Sequence, residues 1–349
     1  MRAAIVEQGE AGGHFALRDQ PEPVPGSDDV VIRLAATSVN PIETMMRNGY
    51  GESLFKWLRD KGPIVLGLDG AGVVTAVGSN VTRPKVGDAV MAATWPYQSG
   101  FYAESIAVPA SFVVQIPDGT GFEEAAVLPY AGLTACAVLE AAQLLPDRSR
   151  GQRVFIHGGS GGVGHLLVQL CSGWGAEVTV TCSGQNAETI TALGAQQVID
   201  YKITHFSDVL HDQDVVINCV APSDNRLDES PFRRVLRKGG YFASLISPTL
   251  TLADMLTAPV GLGMAVSWGS AARLRWRLDG KHHRWVYFKP DTGRLMQLAG
   301  WLAEGALKPL IGARFSWEDI NAAHACVDAG GVAGKVAVTI DAALTASRT

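Results

Sequence analysis

The sequence predicts an α/β chain, with a parallel sheet wound by helices on both faces and a separate β-rich domain. Three observations carry this. The 349 residues are too many for one ordinary core and suit two domains of about 100–200 residues each. Residues 1 to 124 hold short alternating apolar runs broken by Gly, Pro and Asp, among them Val30 to Ala35, Gly72 to Gly78 and Val86 to Met91, which is β-rich chain with tight turns. From about Gly121 the texture turns helical, and strands then alternate with helices as in a parallel sheet covered on both faces.

Taken in order, a helix is expected over 123–139. Strands follow at 153–157, 177–182, 197–200, 214–219, 241–246 and 283–288, with helices between most of them. The expected winding is the six-strand order with a ligand at the switch point. After Lys289 the pattern gives a helix at 292–303, a strand at 311–315, a helix at 317–329 and a last strand at 335–340, all expected to return to the first domain. The division is therefore 1–124, 125–290 and 291–349. Residues 342–349 are expected to be a frayed tail.

Composition narrows the function. With 47% hydrophobic residues, 18% charged residues and a net charge of −5, the chain suits neither disorder nor a basic nucleic-acid surface, so a small-molecule partner is expected. Cys136, Cys171, Cys182, Cys219 and Cys326 show no C-x-x-C spacing, which argues for core filling in a reducing compartment. The longest apolar run, Ala125 to Leu139, is broken by Pro129 and Gly132 and falls short of the roughly 20 residues a membrane helix needs. Met1 to Val6 reads as a strand without a secretory or transit pattern, so a cytoplasmic protein is expected.

The chemistry starts where Arg153 to His157 runs into Gly158-Gly-Ser-Gly-Gly-Val-Gly164. A short strand meeting a glycine-dense turn and then an apolar helix is the physical apparatus for gripping a dinucleotide pyrophosphate. Glycine allows unusual dihedrals, close approach of main chain to phosphate, and tight seating of helix on strand. Free amides and the positive dipole end then face the anion. Gly158, Ser160, Gly161, Gly162, Val163 and Gly164 are the candidate contacts. Glycine spacing alone is weak, but strand before, helix after and a second strand at Glu177 to Thr181 supply the context.

An NAD site ordinarily ends its second strand in Asp or Glu, which binds the ribose 2′-hydroxyl. Here the position reads Thr181-Cys-Ser-Gly184. A carboxylate would repel a 2′-phosphate, whereas Ser183 and an open Gly184 admit one, with Tyr201, Lys202 and Lys335 as candidate partners. NADPH is the expected cofactor.

At this point the chain resembles the medium-chain dehydrogenase/reductase superfamily, in its zinc-free quinone oxidoreductase (zeta-crystallin) branch. The resemblance rests on Ser38 to Glu43, Gly67 to Gly72, Val77 to Val81, Val86 to Asp88, Leu128 to Ala135, the glycine turn and Leu193 to Lys202. Within that branch, Val39 to Gly51 and His283 to Phe288 look most like the mitochondrial reticulon-interacting subfamily. The resemblance implies a Rossmann domain plus a chaperonin-10-like β-rich catalytic domain assembled from both chain ends. It also implies Asn40 and Thr134 at the nicotinamide side, Ser183 and Tyr201 at the adenosine end, and a homodimer paired through the sixth strand.

Zinc-using members of the superfamily place Cys and His where this sequence has Asn40-Pro41 and Leu68, and neither replacement offers a lone pair suited to Zn²⁺. His157 and His165 flank the glycine turn and are read as structural. No metal is expected. Without one, oxidation of a simple alcohol is hard. A quinone or enone, by contrast, accepts hydride and spreads the charge through its own π-system, needing alignment and a hydrogen-bond donor. Candidate donors are Tyr50 and Tyr130. Glu43 and Asp69 read as scaffold charges bound to main-chain amides. Trp285, Tyr287 and Phe288 suit either an acceptor roof or core and subunit contacts. The leading expectation is NADPH-dependent reduction of a quinone or conjugated carbonyl. The alternatives are an enoyl thioester reductase, with Arg273, Arg275, Arg277 and Lys281 for the carrier, and a catalytically weak NADPH-binding sensor or structural protein.

Overall fold

The computed structural model describes residues 1–9, 12–58, 65–221 and 227–348. Its contacts divide the chain into two units, one of Met1–Leu133 with Lys289–Thr349 and one of Thr134–Phe288.

The Thr134–Phe288 unit is built on a six-stranded sheet in the order Gln197–Asp200, Glu177–Cys182, Arg153–His157, Gln213–Asn218, Leu236–Ser244, His282–Trp285. Every pairing is parallel. In chain order this is the predicted winding, with the first strand inside the sheet. That strand is central because both its faces are apolar: Val154, Phe155 and Ile156 are fully buried, as a strand covered on both sides requires. Phe155, Phe206, Phe232, Phe242 and Trp276 fill one side of the sheet.

Two strand ends depart from expectation. The fifth strand starts at Leu236, where a register shift between Gln213 and Val215 admits the segment around Gly239, whose φ is +77°. The sixth stops at Trp285, not 288, after which Val286 donates to Ser244 O at 2.8 Å.

The other unit carries a sheet in the order Ile311–Ser316, Lys335–Thr339, Asp29–Val39, Asp69–Val77, Ala89–Ala93, Val113–Gln115, with Ser105–Pro109 also paired to Asp29–Val39. The C-terminal strand thus returns to the N-terminal half, as expected. Register decides what gathers at one end of this sheet. Val39 faces Val336 and Thr37 faces Gly70, so Asn40, Asp69 and Lys335 sit at adjoining strand ends. The helix expected over 123–139 is two helices, Phe122–Ala126 and Pro129–Ala141, because Pro129 lacks the amide to continue the first and suits the start of the second.

The tail is not frayed. Asp341 caps the helix Ala342–Ala346 by accepting from Leu344 N at 2.9 Å. Arg348 then donates to the carbonyls of Thr120, Ile116 and Pro117 at 2.9, 3.0 and 2.8 Å. Position at the chain end suggested fraying, but the guanidinium finds three main-chain carbonyls. Arg348→Ala should destabilise the chain by about 1–3 kcal/mol, read as a lower midpoint in urea; an unchanged midpoint would mean the tail is not held.

Candidate functional site

The glycine turn occupies the end of the strand Arg153–His157. Gly158 has φ +89°, a region open to glycine. A Cβ on Gly159 would lie 2.6 Å from the Val180 side chain, and one on Gly164 would lie 2.1 Å from Gly158 O. These glycines therefore let the helix Gly164–Gly173 sit directly on the strand. Gly161 differs, since a Cβ there meets only Gly158 O, at 3.5 Å. The protein does not need that space for itself. Gly158 N is bonded to Thr181 Oγ1, Gly159 N to Thr181 O and Gly161 N to Gly158 O, while the amides of Ser160, Gly162 and Val163 have no partner among the described residues. Unpaired donors at a helix mouth form a cradle for phosphate oxygens.

The two flanking histidines support the turn. His165 is fully buried and its Nδ1 donates to Gly161 O at 3.0 Å. His157 Nδ1 lies 2.7 Å from Thr181 Oγ1, and burial together with His205 pushes its pKa down to about 4. Burial likewise pushes the Cys171 and Cys219 thiols up to about 12, so neither is a ready nucleophile.

At the ends of the second and third strands, Asp200 faces Cys182 in register, which sets Ser183 and Gly184 beside Tyr201 and Lys202. Ser183 is buried and its hydroxyl has no hydrogen-bond partner. Tyr201 and Lys202 are exposed. The expected open space at Gly184 is absent, because a Cβ there would lie 2.6 Å from Asp200 Oδ2. That carboxylate accepts from Gly184 N at 3.1 Å and from Lys202 N at 3.0 Å. Sequence reading overlooked Asp200 because the acid ends the third strand, not the second.

In the other unit, one buried polar cluster joins residues distant in sequence. Glu43 accepts from Asn40 N and Tyr102 OH, both at 2.7 Å, on one oxygen, and from Leu68 N at 2.6 Å and Asn40 Nδ2 at 3.3 Å on the other. Asp69 accepts from Ser38 Oγ at 2.6 Å, Asn40 Nδ2 at 3.1 Å and Tyr130 N at 2.9 Å. Glu43 and Asp69 are thus bound to main-chain amides, as their positions suggested. Lys335 donates to Asn40 Oδ1, and its Nζ lies 3.4 Å from Val39 O.

Lys335 is therefore no partner for a 2′-phosphate. Its ammonium is buried and committed to Asn40 Oδ1. Tyr102 and His324 are the members sequence reading missed. His324 Nε2 lies 3.0 Å from Tyr102 OH. Burial, with Arg47 nearby, pushes the His324 pKa down to about 3, so the neutral ring donates to the phenol and the phenol donates to Glu43.

Electrostatics in this cluster is set by exclusion of water. Burial first and Asp69 second push the Glu43 carboxyl up to about 7, against the pull of its donors and Lys335. Burial, then Glu43 and Asp69, raises the Tyr130 phenol far above its ordinary value. Tyr130 and Thr134 lie four residues apart on the helix Pro129–Ala141 and so share a face. Tyr50 occupies the turn between the helices Pro41–Arg47 and Glu52–Leu58, its amide donating to Met45 O at 3.1 Å.

With this geometry in hand, comparison with known proteins is decisive. Residues 26–118 match the alcohol dehydrogenase GroES-like domain model and 193–338 the zinc-binding dehydrogenase model. The chain is 33% identical over 329 residues to the mouse (Mus musculus) protein named NAD(P)H oxidoreductase RTN4IP1, mitochondrial, covering 90% of this chain and 82% of that one. The chain belongs to the medium-chain dehydrogenase/reductase family. It is 30% identical over 344 residues to quinone-oxidoreductase QR1, chloroplastic, of Triphysaria versicolor, covering 96% and 97% of the two. The quinone oxidoreductase of Coxiella burnetii superposes with TM-score 0.80 at 28% identity, covering 97% and 99%.

The mitochondrial name of the mouse relative and the similar reticulon-interacting proteins overturns the cytoplasmic expectation. A strand at the chain start describes folding and carries no address. As for zinc, which one matched model has in its name, the residues of this medium-chain dehydrogenase/reductase do not fit it. Asn40 spends its side chain on Lys335, Asp69 and Glu43, Leu68 is apolar and buried, and both carboxylates already hold amides. Among the described residues no three His, Cys, Asp or Glu side chains gather as a metal site.

Two outcomes are expected. Gly161→Val should fold normally yet lose dinucleotide affinity, whereas Gly164→Ala should be destabilised by the clash with Gly158 O; calorimetric titration and thermal melting separate the two, and equal affinity in Gly161→Val would remove the cradle. Secondly, Glu43 has an ordinary value of 4.5 when unfolded and about 7 when folded, so the folded chain holds the extra proton between those values. Its contribution to stability falls as pH rises through that window and is level above it. The stability of the wild type relative to Glu43→Gln should therefore drop, by on the order of 3 kcal/mol, between about pH 5 and about pH 8. A rise in urea titrations would refute the assignment.

Proposed function

We propose that this medium-chain dehydrogenase/reductase reduces a quinone or another conjugated carbonyl with NADPH and without a metal. The observation that carries the reading is the trio of unpartnered amides, Ser160, Gly162 and Val163, at the mouth of the 10-residue helix Gly164–Gly173. When bound, NADPH supplies the hydride. The amides hold its pyrophosphate. The unpartnered Ser183 hydroxyl, with Tyr201 and Lys202 beside it in register, takes the 2′-phosphate.

Asn40 presents a carboxamide whose orientation is held from one end by Lys335 and from the other by Asp69 and Glu43. Asn40 is assigned to the nicotinamide, as is Thr134, one turn after Tyr130 on the helix Pro129–Ala141. Tyr130 stays protonated because burial and two carboxylates oppose its ionisation, so its phenol suits donation to an oxyanion as charge develops. Tyr50 is the second candidate donor. Quinone reduction is further supported by relatives whose names carry that activity. An enoyl thioester carrier would call on Arg273, Arg275, Arg277 and Lys281, but the Lys281 ammonium donates to Arg233 O at 2.6 Å, and nothing else favours that reading.

Purified protein given NADPH and a panel of small quinones should bleach the nicotinamide absorbance. Ser183→Asp should weaken NADPH more than NADH, by about tenfold or more, an added repulsion of about 1.4 kcal/mol. Equal losses for the two cofactors would contradict the 2′-phosphate assignment, and tight NADPH binding without turnover on any acceptor would favour a sensor.

A further inference from the structure

We infer that His157 is a positioning residue for the dinucleotide: through the Thr181 hydroxyl it fixes which amides of the glycine turn are free to take the pyrophosphate. It acts so only if that turn is the dinucleotide cradle.

Thr181 sorts the amides of the turn. This residue of the second strand faces His157 in register. Its carbonyl accepts from Gly159 N at 2.9 Å and its hydroxyl oxygen from Gly158 N at 3.0 Å, so the first two amides are committed to the strand and withheld from a ligand. Those of Ser160, Gly162 and Val163 stay open among the described residues. The tie then runs on through the turn, since Gly158 O accepts from Gly161 N at 3.2 Å and Gly161 O accepts from His165 Nδ1 at 3.0 Å. A change at Thr181 Oγ1 therefore reaches the whole cradle.

His157 holds that oxygen in place. The hydroxyl accepts from Gly158 N, and its own proton has one acceptor among the described residues, His157 Nδ1 at 2.7 Å. Nδ1 must then carry no proton. Burial and His205 push the pKa of the ring down to about 4, so at neutral pH the imidazole is uncharged, with its proton on Nε2. Gly158 N–H, Thr181 O–H and His157 Nδ1 form a chain in which each bond polarises the next. Thr181 is 1% exposed. Without the acceptor its hydroxyl proton would be buried and unpaired, and a side chain rotating to relieve this would release Gly158 N.

Packing alone does not account for a histidine here. The ring centroid lies 5.4 Å from those of both Phe206 and Phe232, beside the aromatic cluster on one side of the sheet. A phenylalanine would pack in that company without a desolvated nitrogen. The histidine adds the acceptor that Thr181 uses.

The test separates ring from acceptor, with NADPH titrated calorimetrically into each variant and melting followed without cofactor. His157→Phe keeps an aromatic ring and removes the acceptor, whereas His157→Asn removes the ring and keeps an acceptor oxygen in the place of Nδ1. His157→Phe should melt close to the wild type yet bind NADPH about tenfold more weakly, the loss expected from one broken hydrogen bond. His157→Asn should melt lower, from lost packing, yet bind within about twofold of the wild type. Thr181→Val should weaken binding as His157→Phe does, and Thr181→Ser should not. His157→Phe with Thr181→Val should bind no more weakly than Thr181→Val alone, because both remove the same chain. Affinity that follows melting temperature, weaker in His157→Asn than in His157→Phe, would make the ring merely structural and overturn the assignment. So would wild-type affinity in both His157→Phe and Thr181→Val. No heat from NADPH with the wild type would instead remove the cradle, and this role with it.

Discussion

Two carboxylates and an ammonium are sealed from water at one end of the Asp29–Val39 sheet, and that constraint governs how this unit is assembled. Each buried charge costs several kcal/mol unless it is paired and hydrogen-bonded. Glu43 meets the cost with donors from Asn40, Leu68 and Tyr102, Asp69 with Ser38, Asn40 and the Tyr130 amide, and Lys335 with Asn40. Sliding any strand by one residue would strand a charge. The far C-terminal strand Lys335–Thr339 is therefore held beside Asp29–Val39 by more than its ladder, and the chain's return to its first half has a local electrostatic cause.

The wound sheet was legible in the sequence because its determinants are local. Apolar runs of five or six residues, glycine turns and helical spacing specify each strand from its own neighbourhood, and the six strands pair in the order those runs predict. The polar cluster was legible only in halves. Asn40, Glu43 and Asp69 fall in short motifs near one another. Tyr102 and His324 reach Glu43 across 59 and 222 residues in successive hydrogen bonds, and nothing in the local pattern of either announces such a partner. Lys335 shows the same limit from another side: its place before the last strand was readable, but the group its ammonium meets depends on strand order. The docked tail escaped notice because Arg348 binds carbonyls, which leave no mark in sequence.

Glycines that look alike in the turn perform different tasks. Gly164 is required by the protein's own backbone, and Gly159 by Val180. Gly161 is required by neither, and the proposed dinucleotide cradle would give it a reason.

The same reasoning relocates the basis of cofactor choice. Gly184 looked like room left for a 2′-phosphate, yet its lack of a side chain is explained by Asp200, whose carboxylate lies where a Cβ would point. Both oxygens of Asp200 are engaged by main-chain amides. These donors offset part of its negative field and take up one acceptor site on each oxygen. An acid is thus present near the second-strand turn but is committed to holding the turn together. What remains is the Ser183 hydroxyl, buried and unpartnered, and a buried polar group left without a partner ordinarily costs about 1–3 kcal/mol. A phosphate oxygen arriving there would recover that cost, so discrimination between the two nicotinamide cofactors should reside in Ser183 and the exposed Lys202, with Asp200 as the brace that keeps Ser183 in place.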